Sequence, residues 1–235
     1  MNEITQIRKL SLWIFLIPLF TVNICLLISV NYHFFENTIF VVDQIGRSGF
    51  TIPYFDGSLS ISRASRTFPQ FLIFKPGMVL TSILLFFYWR KNNQLINTFN
   101  NVANKNYKFQ IFGILSAFFL VLHSLLLGVE TDIKIFKFLR RVVLLSFIIF
   151  EIVAQGLLVY NFYKLKNKIN DFFNNKILYL KIFLVSILAL VAILSLPILI
   201  SKSGIHFKHA LEWNYFIGVI IFYLLTRLFW KKQTT

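Results

Sequence analysis

Charged residues are scarce in this chain of 235 residues: they make up 14% of it, and only 9 of them are acidic. Soluble domains average about 25% charged residues, and a soluble domain of this length needs that charge to cover its surface. The composition therefore excludes an ordinary soluble enzyme. Hydrophobic residues reach 57% and the mean hydropathy is +0.71, which also excludes an intrinsically disordered chain. The sequence predicts a polytopic membrane protein.

Other absences narrow the functional classes. The chain has a single cysteine, Cys25, so that an internal disulfide and a metal site built on cysteines are excluded. No glycine-rich phosphate loop, Walker motif, zinc-finger pattern or HExxH motif occurs. The two halves of the chain show no paired broken helices, so an inverted-repeat transporter is not supported.

Long apolar segments give the predicted architecture. A helix needs about 20 largely apolar residues to cross a bilayer, and an open sheet cannot satisfy its backbone in lipid. The chain is thus predicted to be all-α, a single six-helix membrane domain over residues 1–235, and the first segment is interpreted as a retained span. The six predicted spans are residues 10–30, 71–89, 109–128, 139–162, 178–200 and 213–230.

The loop charges predict the orientation. Most of the 24 lysines and arginines lie at the termini and in the loops near Asn97 and Asn170, whereas most acids lie in the other loops. Basic loops stay in the cytoplasm, so both termini are expected there. The basic surface fits anionic headgroups of the inner leaflet rather than nucleic acid. A bacterial protein would lie in the cytoplasmic membrane, and a eukaryotic one in an endomembrane or the plasma membrane.

The longest segment between spans, residues 31–70, is predicted to lie outside as an ordered cap on the bundle. It is punctuated by glycine and proline but is rich in apolar side chains such as Phe40, Val41 and Val42. Its hydroxyl-rich part precedes the second span. Ser60 and Ser62 could contact a substrate there, and Arg63 could hold a phosphate. The alternative is a polar turn, since no local base would activate a serine.

Histidines and acids are predicted to gather at the outer ends of the third and sixth spans. His206, His209 and Glu212 are spaced by three residues, which places them on one helix face. His123 lies one or two turns below the outer end of the third span, and Glu130 follows that end. Such a group could run acid–base chemistry. The alternatives are an interfacial anchor, with Trp213 at headgroup level, and a histidine bonded to a neighbouring helix.

Two polar residues fall inside the fourth span. Glu151 lies near the middle of the membrane, and Gln155 lies on the same helix face four residues later. An ionisable group at that depth is costly and is a functional candidate. Glu151 could also be structural, either protonated and bonded to Asn23 or paired with Arg227. Gln155 and Asn23 are interpreted as polar contacts between helices.

Several short motifs resemble a known family. The chain resembles the Frag/DRAM/Sfk superfamily in its six spans, in the segment before the second span and in the opening of the sixth span. This superfamily includes damage-regulated autophagy modulators, Sfk proteins, and post-GPI-attachment lipid-remodelling proteins with their Cwh-type relatives. The chain departs from some animal members in lacking cysteines in the outer loop. The matching residues are Pro53, Tyr54, Ser60, Ile61, Ser62, Pro69, His209, Glu212 and Trp213.

The resemblance implies a role at membrane lipids, such as remodelling a lipid or a lipid anchor, and gives no verified active site. The leading hypothesis is an outward polar site that handles lipids. One alternative is a non-catalytic membrane organiser that binds a lipid or a protein partner. Another is a metal-dependent lipid hydrolase with His123, His206 and His209 as ligands, and no other cofactor is indicated. The candidate site consists of His123, Glu130, His209 and Glu212, with substrate contacts from Ser60, Ser62, Arg63 and Trp213.

Overall fold

A computed structural model describes residues 2–36, 38–39, 49–102, 105, 107–129, 134–200 and 203–231. These residues form eight α-helices and no β-strand, which confirms the predicted all-α class. Six of the helices are long and apolar enough to cross a membrane. They are α1 (Asn2–Val30), α4 (Gln70–Asn100), α5 (Lys108–Leu126), α6 (Lys134–Ile169), α7 (Asn175–Ile200) and α8 (Ile205–Phe229).

The six long helices pack as a closed ring. Each packs on its neighbour in the chain from α4 to α8, and α1 closes the ring by packing on both α4 and α8. Close approach at small residues holds the ring together. A Cβ on Gly113 of α5 would lie 2.3 Å from the ring of Trp89 on α4, so only glycine admits that buried indole. The space enclosed by the ring is where a ligand could lie.

Two short helices, α2 (Pro53–Asp56) and α3 (Ile61–Ser65), cover one end of the ring, which we call the capped end. Helix α2 packs on α8, and α3 packs on α1, α4 and α8. The predicted ordered cap is therefore confirmed for residues 49–69, whereas Phe40, Val41 and Val42 lie outside the described residues. The capped end carries the C-termini of α1, α5 and α7 and is the end that the loop charges predict to face outward.

Gly57 joins the cap to α8. It ends α2 in the left-handed conformation, with φ of 59°, which glycine adopts without strain. A Cβ at this position would also lie 1.8 Å from the backbone oxygen of His206. Glycine therefore serves twice here, as the turn residue and as the point where the loop backbone touches α8.

Candidate functional site

The ring of long helices encloses a cavity of about 330 Å³. All six long helices and α3 line it, mostly through aliphatic and aromatic side chains. On α8 the lining runs from Lys208 to Tyr223, which corresponds to about 22 Å of helix. The cavity is thus long and narrow, and its volume lies in the usual range of small-molecule sites.

Several sequence-predicted side chains line this one cavity. His209 and Glu212 do so from α8, His123 from α5 and Ser62 from α3. Glu151 of α6 also lines the cavity, deeper in the bundle. The structure therefore brings residues from four elements to a shared space, although His123 and His209 are far apart in the sequence. Glu130 lies outside the described residues.

A backbone carbonyl orients His209. The oxygen of Gly57 lies 2.9 Å from Nδ1 of His209 and 3.3 Å from Nδ1 of His206. A carbonyl oxygen only accepts hydrogen bonds, so Nδ1 of His209 carries a proton. In the neutral ring, Nε2 is then the nitrogen with the lone pair and can act as a base. His206 is exposed and does not line the cavity.

Glu212 lies one turn after His209 and is also positioned by the cap. The backbone N–H of Ser62 donates a hydrogen bond to its carboxylate. A base and a carboxyl group on one helix face, each held by a backbone group of the cap, form an arrangement suited to proton transfer. Ser60 plays a different part: its hydroxyl accepts from the backbone N–H of Arg63 and so caps α3. The Arg63 side chain is exposed.

Trp213 anchors the cap rather than lining the cavity. Its side chain is fully buried, its Nε1–H donates to the backbone oxygen of Leu59 at 2.8 Å, and its ring packs edge-on against Tyr54 at 4.8 Å. The Tyr54 hydroxyl in turn donates to Asn23 of α1, and burial raises the pKa of that hydroxyl. These contacts tie α8, the cap and α1 together at the capped end.

The turn that carries Gly57 is fixed by Asp56. Its carboxylate accepts from the backbone N–H groups of Ser58 and Ile52 and from the hydroxyl of Thr51. The hydrogen bond from Ser58 contributes most to lowering the pKa of Asp56 to about 2. Asp56 is therefore ionised at neutral pH and holds the loop that presents the Gly57 carbonyl.

His123 is buried with unused hydrogen-bonding capacity. Its side chain is 7% exposed, and Nδ1 has no hydrogen-bond partner among the described residues. Buried polar atoms are rarely left unpaired, and this side chain lines the cavity. Arg140 of α6 lies close enough for its charge to act on the ring. The structure thus places a buried imidazole with one unpaired nitrogen beside the cavity.

Glu151 has a complete set of hydrogen-bond partners. Its Oε1 accepts from Gln155 Nε2 at 3.0 Å and from the hydroxyl of Tyr223, and its Oε2 lies 2.5 Å from Ser116 Oγ. The hydroxyl of Ser116 also lies 2.9 Å from the oxygen of Gly113. Ser116 has one proton for these two oxygens, so both contacts are satisfied only if Oε2 is protonated. The proton count therefore favours the neutral carboxylic acid form of Glu151.

The two structural alternatives for Glu151 find no support. Asn23 bonds the backbone of Leu19 and the Tyr54 hydroxyl at the capped end. Arg227 is near Arg8, within range of its charge, rather than bonded to Glu151. The role predicted for Gln155 as a contact between helices agrees with the structure, since its amide also reaches the backbone oxygen of Val219 at 3.4 Å.

A second buried polar group was missed by the sequence analysis. Lys181 is one of the basic residues near Asn170 that contribute to the predicted orientation, but its side chain is fully buried between helices. Its Nζ donates to Thr226 Oγ1 at 2.8 Å and lies 4.0 Å from the ring centre of Phe222. The Tyr88 hydroxyl meets the same Thr226 oxygen at 3.2 Å. The available signal was that Lys181 lies inside the predicted span 178–200.

The histidines do not form the metal site considered from the sequence. Within the described residues, no three His, Cys, Asp or Glu side chains group closely enough to hold a metal ion. His206 and His209 meet at Gly57, whereas His123 stands apart from them. Comparison with protein-family models, curated proteins and solved structures finds no match to the chain. The resemblance to the Frag/DRAM/Sfk superfamily therefore stays a prediction.

Proposed function

We propose that this integral membrane protein binds a membrane lipid inside its ring of helices, with the hydrocarbon chain in the cavity and the polar head at the capped end. The observation that carries this proposal is the cavity itself. It is narrow and apolar along about 22 Å of α8, longer than one leaflet of a hydrocarbon core about 30 Å thick. Its shape and lining suit an alkyl chain.

The hydrogen bonding of the cavity supports this orientation. At the deep end, Glu151 and Tyr223 bond each other, and Ser116 and Gln155 complete the set. The Oε1 atom of Gln155 has no partner among the described residues, but Gln155 does not line the cavity. At the capped end His123 has an unpaired ring nitrogen, and the lone pair of His209 is on Nε2. His123 and His209, which line the cavity at the capped end, are therefore the groups that we expect a polar head to meet.

Acid–base chemistry on the lipid head is the second candidate function. The specific observation that favours it is the fixed tautomer of His209 beside Glu212, with both side chains lining the cavity. In this scheme Nε2 of His209 removes a proton from a hydroxyl of the lipid or of water, and Glu212 assists that transfer. Lipid remodelling, the role implied by the Frag/DRAM/Sfk resemblance, would be chemistry of this kind. A non-catalytic organiser would use the cavity for binding alone.

Filling the cavity tests the binding proposal. Ala192 of α7 lines the cavity, and Ala192→Phe should occupy the space of the alkyl chain. The next residue, Ile193, is 65% exposed on the outer surface of the bundle, so Ile193→Phe is the matched control. Native mass spectrometry of the purified protein should show bound lipid with the control and loss of it with Ala192→Phe. Equal lipid retention by both folded variants would contradict the proposal.

Complementation tests the catalytic candidate. Cells that lack the protein should show an altered lipid profile, and restoring the wild-type chain should correct it. His209→Ala and Glu212→Gln should each fail to correct the profile while reaching the membrane with nearly unchanged unfolding temperatures. Full correction by both variants would exclude acid–base catalysis by this pair and leave the binding role.

A further inference from the structure

Helix α6 lines the cavity with more than its inward face. Six of the eight residues 144–151 line the cavity. Successive residues of an α-helix are rotated by about 100°, so this lining covers about 200° of the helix, from Phe147 round to Ile149. Helix α1, by contrast, lines the cavity with a single stripe of three residues spaced by four. The cavity therefore extends past the inward face of α6 to one of its sides.

That side of α6 is the one that faces α7. A Cβ on Gly156 of α6 would lie 3.5 Å from Cγ1 of Val185 on α7, so the two helices are in contact at this level. On a helical wheel, Leu145 and Ile149 each lie within about 20° of Gly156. The side toward α5 is different, since Phe150 stacks there on two phenylalanine rings of α5. The extra lining therefore follows the seam between α6 and α7.

This seam opens toward the capped end. Leu145 and Ile149 precede Gly156 by about 16 and 10 Å along α6, and both line the cavity. Yet Leu145 is 40% exposed and Ile149 is 53% exposed. Lining the cavity does not by itself expose a side chain, because Val22 and Leu85 line the same cavity on the far wall and are buried. Leu145 and Ile149 therefore border an opening through the wall.

The opening lies at the depth of acyl chains. On its other border, Ala192 and Ser195 of α7 follow Val185 toward the capped end and line the cavity. Leu145 and Ile149 lie about 9 and 15 Å inside the predicted fourth span. The hydrocarbon core is about 30 Å thick, so the opening faces the hydrocarbon of the leaflet at the capped end.

We propose that the cavity opens laterally to the membrane between α6 and α7, and that its ligand is a two-chain lipid of the leaflet at the capped end. One acyl chain lies in the cavity, and the other passes Leu145 and Ile149 into the bilayer. This inference rests on the proposed function, since it names the class of lipid that the cavity takes. The cavity of about 330 Å³ is at the small end of ligand sites, which suits one chain better than two.

The test compares a two-chain lipid with a single-chain lipid. The purified, delipidated full chain is titrated with phosphatidylcholine or with lysophosphatidylcholine of the same acyl chain, and bound lipid is measured by native mass spectrometry. The wild-type protein should retain both lipids. Leu145→Trp/Ile149→Trp places two large rings across the opening. It should lose phosphatidylcholine and keep lysophosphatidylcholine, whose single chain lies inside the cavity.

A tryptophan elsewhere on α6 is the matched control. Val153 is 37% exposed and does not line the cavity, so Val153→Trp should retain both lipids. If the double variant does not elute as a folded protein, Ile149→Trp alone is compared with Val153→Trp, and the same difference is expected.

The outcomes separate this inference from the proposed function. Retention of phosphatidylcholine by the folded opening variant would overturn the lateral opening and leave the lipid cavity intact. Loss of both lipids from that variant would show that the new rings fill the cavity itself, which overturns the assignment of these residues to an opening. A wild-type protein that retains only lysophosphatidylcholine would overturn the two-chain ligand. A wild-type protein that retains neither lipid would overturn the proposed function.

Discussion

Substituting Glu151 tests whether this buried side chain acts as a neutral hydrogen-bonding group. Glu151→Leu removes both carboxyl oxygens and leaves the Tyr223 hydroxyl without its acceptor and Gln155 with only its long contact to Val219. Ser116 keeps its bond to Gly113. Each unsatisfied buried group costs about 1–3 kcal/mol, so the free energy of unfolding should fall by about 3 kcal/mol.

Glu151→Gln should be tolerated if the carboxyl group is protonated. The amide oxygen can accept from Tyr223 and Gln155, and the amide N–H can donate to Ser116 in place of the carboxyl proton. The second amide N–H has no counterpart in the contacts of Glu151, and we expect the free energy of unfolding to fall by about 1 kcal/mol. If the group were ionised in the native state, the charge-assisted bonds would be lost too and the glutamine variant would be as unstable as leucine.

Thermal unfolding in detergent, followed by tryptophan fluorescence, measures the difference. For a chain of this size a loss of 1 kcal/mol lowers Tm by about 2–4 °C. Glu151→Leu should therefore lower Tm by about 6–12 °C, and Glu151→Gln by only a few degrees. Arg227→Gln in the Glu151→Gln background is the control, and it should give no rescue because Arg227 lies near Arg8. Equal unfolding temperatures of the leucine and glutamine variants would refute the proton assignment.

Three further predictions concern other parts of the chain. With Cys25 replaced, a cysteine at Asn97 should resist an impermeant thiol reagent in intact cells whereas one at Ser58 should react, and the opposite pattern would reverse the predicted orientation. The pKa of Asp56 is lowered from 3.8 to about 2. Its contribution to the free energy of unfolding is therefore complete above pH 3.8 and is lost as the pH falls through 2. Wild type and Asp56→Asn should differ in unfolding temperature at pH 5 and converge at pH 2, and a constant difference would contradict this. Lys181→Met should leave the unfolding temperature nearly unchanged or raise it, because an apolar group replaces a buried amine; a loss above about 2 kcal/mol would show that its contact with Thr226 is needed for stability.

The architecture could be predicted because it follows from length and composition. Each span needs about 20 apolar residues, and all six predicted segments coincide with long helices. The cap could be predicted in outline, since Tyr54 and Leu59 pack against the bundle, but Phe50 and Phe55 are exposed rather than packed. The closing contact of the ring, between α1 and α8, could not, because helix packing depends on surface shape that periodicity does not encode.

The candidate site could be predicted only in part, for the same physical reason. Depth along a helix is readable from the sequence, and it placed His123 and His209 toward the same end of the bundle. The direction in which a side chain points around the bundle is not readable, so Gln155 was placed beside Glu151 but the partners on other helices, Ser116 and Tyr223, were not found. Lys181 shows a different error, because its charge was treated as a loop charge in predicting the orientation although the bundle buries this side chain.

The role of Gly57 could not be read from spacing at all. It supplies a backbone carbonyl, not a side chain, and its contact with His209 joins positions on two elements far apart in the chain. Such a contact depends on the left-handed turn and on Asp56 holding that turn in place. A motif search that considers side chains alone misses the group that fixes the tautomer of the candidate base.

The two ends of the cavity differ in a way that determines how an amphiphile can be held. A polar head at the deep end would have to displace a hydrogen bond between Glu151 and Tyr223, Gln155 or Ser116. Such an exchange replaces one buried hydrogen bond with another, so it contributes little binding free energy. A head at the capped end lies beside His123, a cavity-lining residue with an unpaired nitrogen. The hydrocarbon chain then lies along the deep end, where the carboxyl group of Glu151 already has its partners. The direction of binding therefore follows from which buried groups are already satisfied, and not from the apolar lining, which the two ends share.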